Sequence, residues 1–183
     1  MMRPQRGKGK VIMKALRATL RTIDCTNDWA GRLVSWAGAA LIFAITYEVI
    51  ARYLFISPTI WSYDIAYMLG GTLIIVAGAY VLLRKEHLKV DIIYKRFPPK
   101  IRLISDLFFT LVFFFPLMVV LVNYSATWAW RAFIGNETSL VGVWAPPLWP
   151  FRAVILIGVS LLLLQGVANF IRGLFLLVRG TEL

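Results

Sequence analysis

Apolar residues fill this chain in four long runs separated by short polar connections, and the runs predict its architecture. A membrane-spanning helix needs about 20 mostly apolar residues to cross ~30 Å of hydrocarbon at ~1.5 Å per residue. Residues 33–53, 60–83, 103–128 and 150–171 meet that requirement. We therefore predict an all-α integral membrane protein with a domain of four transmembrane helices over residues 33–175 and a cytoplasmic tail at 176–183.

The N-terminal residues follow two other patterns. Residues 11–32 carry apolar side chains every three or four positions, with basic residues on the remaining sides, which predicts an amphipathic helix lying on the membrane surface. Residues 1–10 are basic and Gly-rich, so we expect a disordered tail there. A secretory signal peptide is the alternative, but no uninterrupted apolar stretch of about 7–15 residues with a cleavage site follows the tail promptly.

The basic residues predict the orientation of the helices. Seventeen of the 20 Lys and Arg residues lie before the first span, in the connection between the second and third spans, or after the fourth. The other side has only Arg52, Arg131 and Arg152. Because positively charged loops stay in the cytoplasm, both termini are predicted to be cytoplasmic. The net charge of +11 is therefore a topology signal that favours contact with membrane lipids, and no nucleic-acid partner is expected.

Composition supports this assignment. Hydrophobic residues make up 60% of the chain, and an ordinary soluble domain has roughly 45–50%. Pro116, inside the third span, is predicted to kink that helix. Small residues that predict close helix contacts are Gly31, Gly38, Ala66, Gly70, Gly71, Gly78, Gly158 and Gly166. Gln165 and Asn169 share one face of the fourth span, where we expect hydrogen bonds to a neighbouring helix.

Few charged residues lie within the spans, and these are the first candidates for function. Glu48 precedes Arg52 by four residues near the outer end of the first span, the favourable order for a helical ion pair. Such a pair is expected to fix helix packing, and a substrate or proton site is the alternative. Asp64 opens the second span, where we expect it to cap the helix or to pair with Arg52 or Arg131.

His87, the only histidine, precedes Asp91 by four residues at the cytoplasmic end of the second span. We interpret the two as ordering the loop or docking a partner, because a metal or haem site needs more ligands. Cys25 is the only cysteine, so this chain alone forms no disulfide and no cysteine metal site. No phosphate loop, Ser/His/Asp set or catalytic carboxylate pair can be assembled. Neither an enzyme nor a bound metal is expected.

Residues 131–150 form the longest extracytoplasmic connection. The segment mixes apolar and aromatic side chains with one acid, so we expect it to lie on the membrane or to dock a partner. Its candidate docking residues are Arg131, Glu137, Trp144 and Trp149.

Several of these features together resemble the small membrane subunit of the tripartite ATP-independent periplasmic (TRAP) transporters. They are Arg52-Tyr53 closing the first span, Trp61 with Asp64 opening the second, and His87-Leu88-Lys89-Val90-Asp91 after it. The resemblance covers residues 28–175, including the count of four spans and the basic middle loop. This family usually has Glu where this chain has Asp64.

The resemblance implies a small permease subunit in a bacterial inner membrane. A periplasmic binding protein would deliver an organic acid, and a large membrane subunit would carry it using a sodium gradient. This chain would hold no cofactor of its own and would act as a scaffold, with Glu48, Arg52, Asp64, His87 and Asp91 maintaining its assembled shape. The 131–150 segment would help to dock the binding protein.

Two other classes of protein compete with this interpretation. A self-sufficient proton-coupled exporter would place an unpaired acid near the membrane midplane, and Glu48 invites that comparison. A haem-bearing membrane anchor would need histidine ligands between its spans, and His87 is predicted at the cytoplasmic rim.

Overall fold

The computed structural model describes residues 5–84, 98–140 and 142–179, which form five α-helices. They are α1 (Gln5–Leu54), α2 (Ser62–Leu83), α3 (Pro99–Phe109), α4 (Phe115–Ile134) and α5 (Trp149–Arg179). A π-helical segment, Thr110–Phe114, joins α3 to α4, so these residues form one long helix. Four helices are therefore long and apolar enough to cross a membrane, which confirms the predicted fold class. The orientation, with both termini in the cytoplasm, stays a prediction.

Helix α1 is longer than the sequence pattern suggested. Its 50 residues run without interruption through the predicted tail, the predicted amphipathic helix and the first span. No proline lies between Pro4 and Pro58, and the glycines in this stretch lower helix stability without breaking it. Residues 5–10, for which we predicted disorder, are thus helical. The helix is ~75 Å long at ~1.5 Å per residue, so it extends well beyond ~30 Å of hydrocarbon. Attachment of its basic half to the membrane surface stays a prediction.

The third span carries the expected perturbation at Pro116, and the structure gives its form. Proline has no amide hydrogen, so the carbonyl one turn earlier loses its partner. The π-helical segment directly before Pro116 absorbs this loss, and the amide of Phe115 donates to the carbonyl of Thr110, five residues back. One side chain of this segment, Phe114, lies against Gly166 of α5.

The helices form an open row and not a closed bundle. Helix α2 packs between α1 and α5, and α5 packs between α2 and α4, with a smaller contact between α1 and α5. Helices α1 and α4 therefore occupy the two ends. In the most apolar stretch of each span, 28% of the residues are buried in α5 and only 6% in the α3–α4 helix. Much of the apolar surface consequently faces lipid or another protein.

Glycines explain how closely the helices approach within the row. A methyl group at Gly31 would overlap Tyr80 of α2, and one at Gly158 would lie 2.6 Å from Ile75. Gly38, Gly71 and Gly166 likewise face a neighbouring helix, which confirms those predicted contacts. Gly70 and Gly78 were predicted incorrectly: nothing lies within 4 Å of a methyl group built at either position. Their side of α2 faces outward, because α2 meets its neighbours through other positions.

Candidate functional site

The connections at residues 55–61 and 135–148 lie at the same end of the row, called the outer end below. Glu48 organises the first connection. Its Oε1 accepts hydrogen bonds from the Arg52 Nε at 2.9 Å and from the Arg52 terminal nitrogen at 2.6 Å. Its Oε2 accepts from the backbone amide of Thr59 at 3.0 Å and also from the Thr59 hydroxyl. Glu48 therefore ties the end of α1 to the residues that lead into α2.

Asp64 anchors the second connection to α2. Its side chain is fully buried, and its Oδ1 accepts a hydrogen bond from the Ser139 hydroxyl at 2.5 Å. Oδ2 has no hydrogen-bond partner among the described residues and lies directly beside Gly142, where a side-chain methyl group would overlap it. The expected pairing of Asp64 with Arg52 or Arg131 was wrong. Ser139, on the connection between α4 and α5, bonds Asp64 instead, and Asp64 lies in the first turn of α2, as the capping alternative placed it.

Arg152, on the first turn of α5, holds the same connection from the other side. Only 7% of its side chain is exposed, and it pairs with Glu137 at 2.6 Å. It also donates to the Trp128 carbonyl at 3.3 Å, and its guanidinium lies 4.3 Å from the centre of the Trp128 ring. A charge buried to this degree needs such partners, so Arg152 joins α5, the end of α4 and the loop.

The backbone of this connection adds internal order. Thr138 and Pro147 form an antiparallel bridge, the Ser139 amide donates to the Pro146 carbonyl at 2.9 Å, and the Leu148 amide donates to the Glu137 carbonyl at 2.9 Å. We call residues 135–148 the outer hairpin. Its tip presents Leu140 and Val143, which are 95% and 84% exposed.

The predicted docking residues lie on or beside the outer hairpin, and the structure separates their environments. Glu137 is committed to Arg152, whereas Arg131 and Trp144 are exposed. Trp149 packs its ring edge-on against Phe133, with 5.9 Å between ring centres. His87 and Asp91 lie outside the described residues. Sequence reasoning missed Ser139 and Leu140, because only the folded hairpin brings one to Asp64 and directs the other outward.

A second polar cluster lies at the opposite, inner end and joins α1, α2 and α5. The Gln165 carbonyl oxygen accepts from Asn27 at 2.7 Å, and the Gln165 amide donates to Asp24 at 3.1 Å. Asn169 donates to the Leu82 carbonyl at 3.0 Å, which confirms the predicted role of these two amides between helices. Arg172 pairs with Asp24. We call this set the inner cluster.

Asp24 and Asn27 were not recognised from the sequence, because they fall in the segment predicted to lie on the membrane surface. A signal was nevertheless present. Leu20, Asn27 and Val34 are buried at seven-residue intervals, so Asn27 interrupts an otherwise apolar stripe of α1. Asp28, one residue further on, pairs with Arg32 at 2.7 Å and with Arg84 at 3.4 Å.

Four apolar helices, an anchored hairpin at one end and polar cross-links at the other define a multi-pass membrane protein. Residues 41–176 match the family described as tripartite ATP-independent periplasmic transporters, DctQ component. Since the match covers most of the chain, the protein belongs to this family, a component of TRAP transporters, which confirms the resemblance found in the sequence. A comparison with curated proteins finds no match. Glu48, Asp64, Glu137 and Arg152 all lie within the matched segment.

Proposed function

We propose that this protein is the small permease subunit that scaffolds the large, sodium-coupled membrane subunit, and that its outer hairpin helps to dock the periplasmic binding protein for organic-acid uptake. Family membership supports the general assignment, and the anchored hairpin is the observation that supports docking. No chemistry on a substrate is assigned to this chain. The sodium gradient belongs to the partner subunit.

The base of the outer hairpin is anchored, whereas its tip is exposed. Ser139 at the base is fixed to buried Asp64, and Glu137 is fixed to buried Arg152. The tip nevertheless directs Leu140 and Val143 outward, where water would surround them if they lay above the membrane. A rigid loop that exposes apolar side chains loses little conformational entropy on binding, so it is well suited to dock a protein.

The open row of helices supports the scaffold role. The apolar stretches of α1, α2 and the α3–α4 helix are only 6–11% buried. Helices with so little internal contact contribute most of their surface to lipid or to a membrane partner. The observed position of Glu48 also counts against a self-sufficient exporter. Arg52 and Thr59 engage this acid at the outer end of α1, and alternating access requires a free acid near the midplane.

Cysteine crosslinking in the complete transporter tests the docking proposal. Leu140→Cys and Val143→Cys would be introduced separately into a Cys25→Ser background, because Cys25 is exposed and would react itself. With a maleimide–benzophenone reagent, whose photoreactive end needs no thiol on the partner, we expect an adduct between each hairpin cysteine and the binding protein. Val178→Cys, 75% exposed near the other end of α5, is the matched control and should give none. Hairpin adducts that never contain the binding protein would contradict docking.

Four charged or ionisable residues near the ends of the first two spans are proposed to hold the subunit in its assembled shape. Alanine at Arg52, Asp64, His87 and Asp91 together is expected to lower both the yield of the assembled complex and uptake. The yield is measured by co-purification with a tagged large subunit. A quadruple variant with normal assembly and normal uptake would remove these residues from the proposal.

A further inference from the structure

Helix α4 has a narrow inward stripe and a broad outward face. Its buried residues Met118, Ser125 and Ala132 recur every seven positions and lie against α5, the helix on which α4 packs. At ~100° per residue, Asn123 and Thr127 point ~160° away from this stripe. They therefore face away from the rest of the chain.

Asn123 is left with unused hydrogen-bonding capacity on this outward face. Its side chain is exposed, and its Nδ2 donates to the Val119 carbonyl one turn earlier at 2.9 Å. Among the described residues, no donor reaches its Oδ1. An asparagine amide offers two donors and an acceptor, so one group stays unpaired whichever way the amide is turned. Thr127, the next outward polar residue, is satisfied because its hydroxyl donates to the Asn123 carbonyl at 3.0 Å.

The depth of Asn123 makes that unpaired group significant. It lies about two turns, or ~12 Å along the helix axis, inside Arg131 at the outer end of α4. Asn123 falls within the predicted third span, residues 103–128, where lipid tails would surround it and offer neither donors nor acceptors. An unpaired amide in hydrocarbon is therefore costly, and a protein donor is what relieves the cost.

We propose that the outward face of α4, defined by Val120, Asn123, Thr127 and Trp130, is the surface on which a transmembrane helix of the large subunit packs. That helix places a hydrogen-bond donor at the Asn123 Oδ1. This inference rests on the proposed function, because the large subunit is the partner assigned there. Membership of a tripartite transporter family supplies a membrane partner that is a different chain, and a second copy of this chain is the competing occupant that crosslinking distinguishes.

Photo-crosslinking in the membrane tests where the large subunit lies. The photoreactive amino acid p-benzoylphenylalanine would replace Val120, which is 64% exposed on the proposed face, in the co-expressed transporter. The matched control replaces Phe43, which is 72% exposed on α1 at the other end of the row. We expect an adduct with the large subunit from position 120 and none from position 43. Adducts from position 120 that contain only lipid or a second copy of this chain would overturn the proposal.

Substitution of Asn123 tests the hydrogen bond itself. Asn123→Leu is expected to lower the amount of large subunit recovered with this chain about 3–10-fold, the range for one hydrogen bond between membrane helices. Asn123→Gln, which keeps both amide groups, should restore recovery. Ser35→Leu, an exposed polar-to-apolar change on α1 at a hydroxyl already bonded to the Arg32 carbonyl, should leave recovery unchanged.

Recovery of the large subunit by the wild type and by Asn123→Leu distinguishes a failure of the proposed interface from a failure of the proposed function. If the wild-type chain recovers no large subunit, the proposed function itself fails. If the wild type recovers it and Asn123→Leu recovers as much, only the assignment of this face fails.

Discussion

Helices α5 and α4 each carry an amide side chain, and the two amides differ in their hydrogen-bond partners. In α5 the amide of Gln165 is fully buried and bonded to both Asn27 and Asp24 of α1. In α4 the amide of Asn123 faces outward and uses one of its groups on its own helix. Both lie within apolar segments long enough to span a membrane. The difference teaches that a polar residue in a span joins helices of its own chain where those helices surround it, and bonds within its own helix where it faces outward.

Loss of Gln165 should have the largest effect on the subunit itself. Gln165→Ala removes the acceptor for Asn27 and the donor to Asp24, and it leaves a cavity at a fully buried position. We expect the free energy of unfolding to fall by about 2–4 kcal/mol. Unfolding of the purified subunit in mixed detergent micelles, followed by circular dichroism, measures this change.

A matched control lies on the same helix. The Ser160 hydroxyl donates only to the Leu156 carbonyl within α5, so Ser160→Ala should change the free energy of unfolding by less than about 0.5 kcal/mol. If the two variants were equally stable, the inner cluster would not be what holds α1 to α5.

Two glycines, Gly31 and Gly78, also differ in whether they face a neighbouring helix. A methyl group at Gly31 overlaps the Cβ of Tyr80, which its own backbone keeps in place, so Gly31→Ala should force α1 and α2 apart. We expect a loss of about 1–3 kcal/mol in the free energy of unfolding. Gly78→Ala places its methyl group in open space and should be neutral or slightly stabilising, because alanine favours the helix. The same unfolding experiment measures both, and equal losses would show that helix propensity, not packing, governs these positions.

The outer hairpin is where α4 and α5 are held together by charge. Arg152→Ala removes the ion pair with Glu137 and the contacts with Trp128, and it should lower the free energy of unfolding by about 1–2 kcal/mol, since Glu137 is partly exposed and screened. The larger expected change is in the exposure of the outer hairpin itself. Limited proteolysis should cut the released hairpin several-fold faster, whereas Arg131→Ala, which removes an exposed outer cation, should leave the cleavage rate unchanged. A protected hairpin in Arg152→Ala would show that Asp64 and Ser139 suffice to hold it.

The sequence predicted those features that are encoded within a single helix. Hydropathy and length located four spans, and the order Glu48–Arg52 predicted an ion pair that the structure contains. Gln165 and Asn169 were found because two polar residues on one face of an apolar helix need partners. Each of these signals is local, since it depends on residues within a few turns of one helix.

Features that depend on distant contacts were missed or misassigned. Asp64 was expected to meet an arginine, but the partner is Ser139, 75 residues away, and no periodicity encodes that separation. Gly70 and Gly78 match the small-residue pattern as well as Gly31 does, and only the position of α2 in the row decides which of them face a neighbour. Asn27 was assigned to the surface because the charges beside it concealed the apolar stripe that it shares with Leu20.

The smallest effect is expected at Asn123, and it is the most discriminating. In the subunit purified alone, Asn123→Leu removes an outward amide that contacts only its own helix, so the free energy of unfolding should change by less than about 0.5 kcal/mol. Gln165→Leu, the identical chemical change on an inward face, should lower it by more than about 1 kcal/mol. Detergent unfolding of the two variants side by side measures the difference. Equal losses would mean that Asn123 serves the fold of this chain as much as Gln165 does.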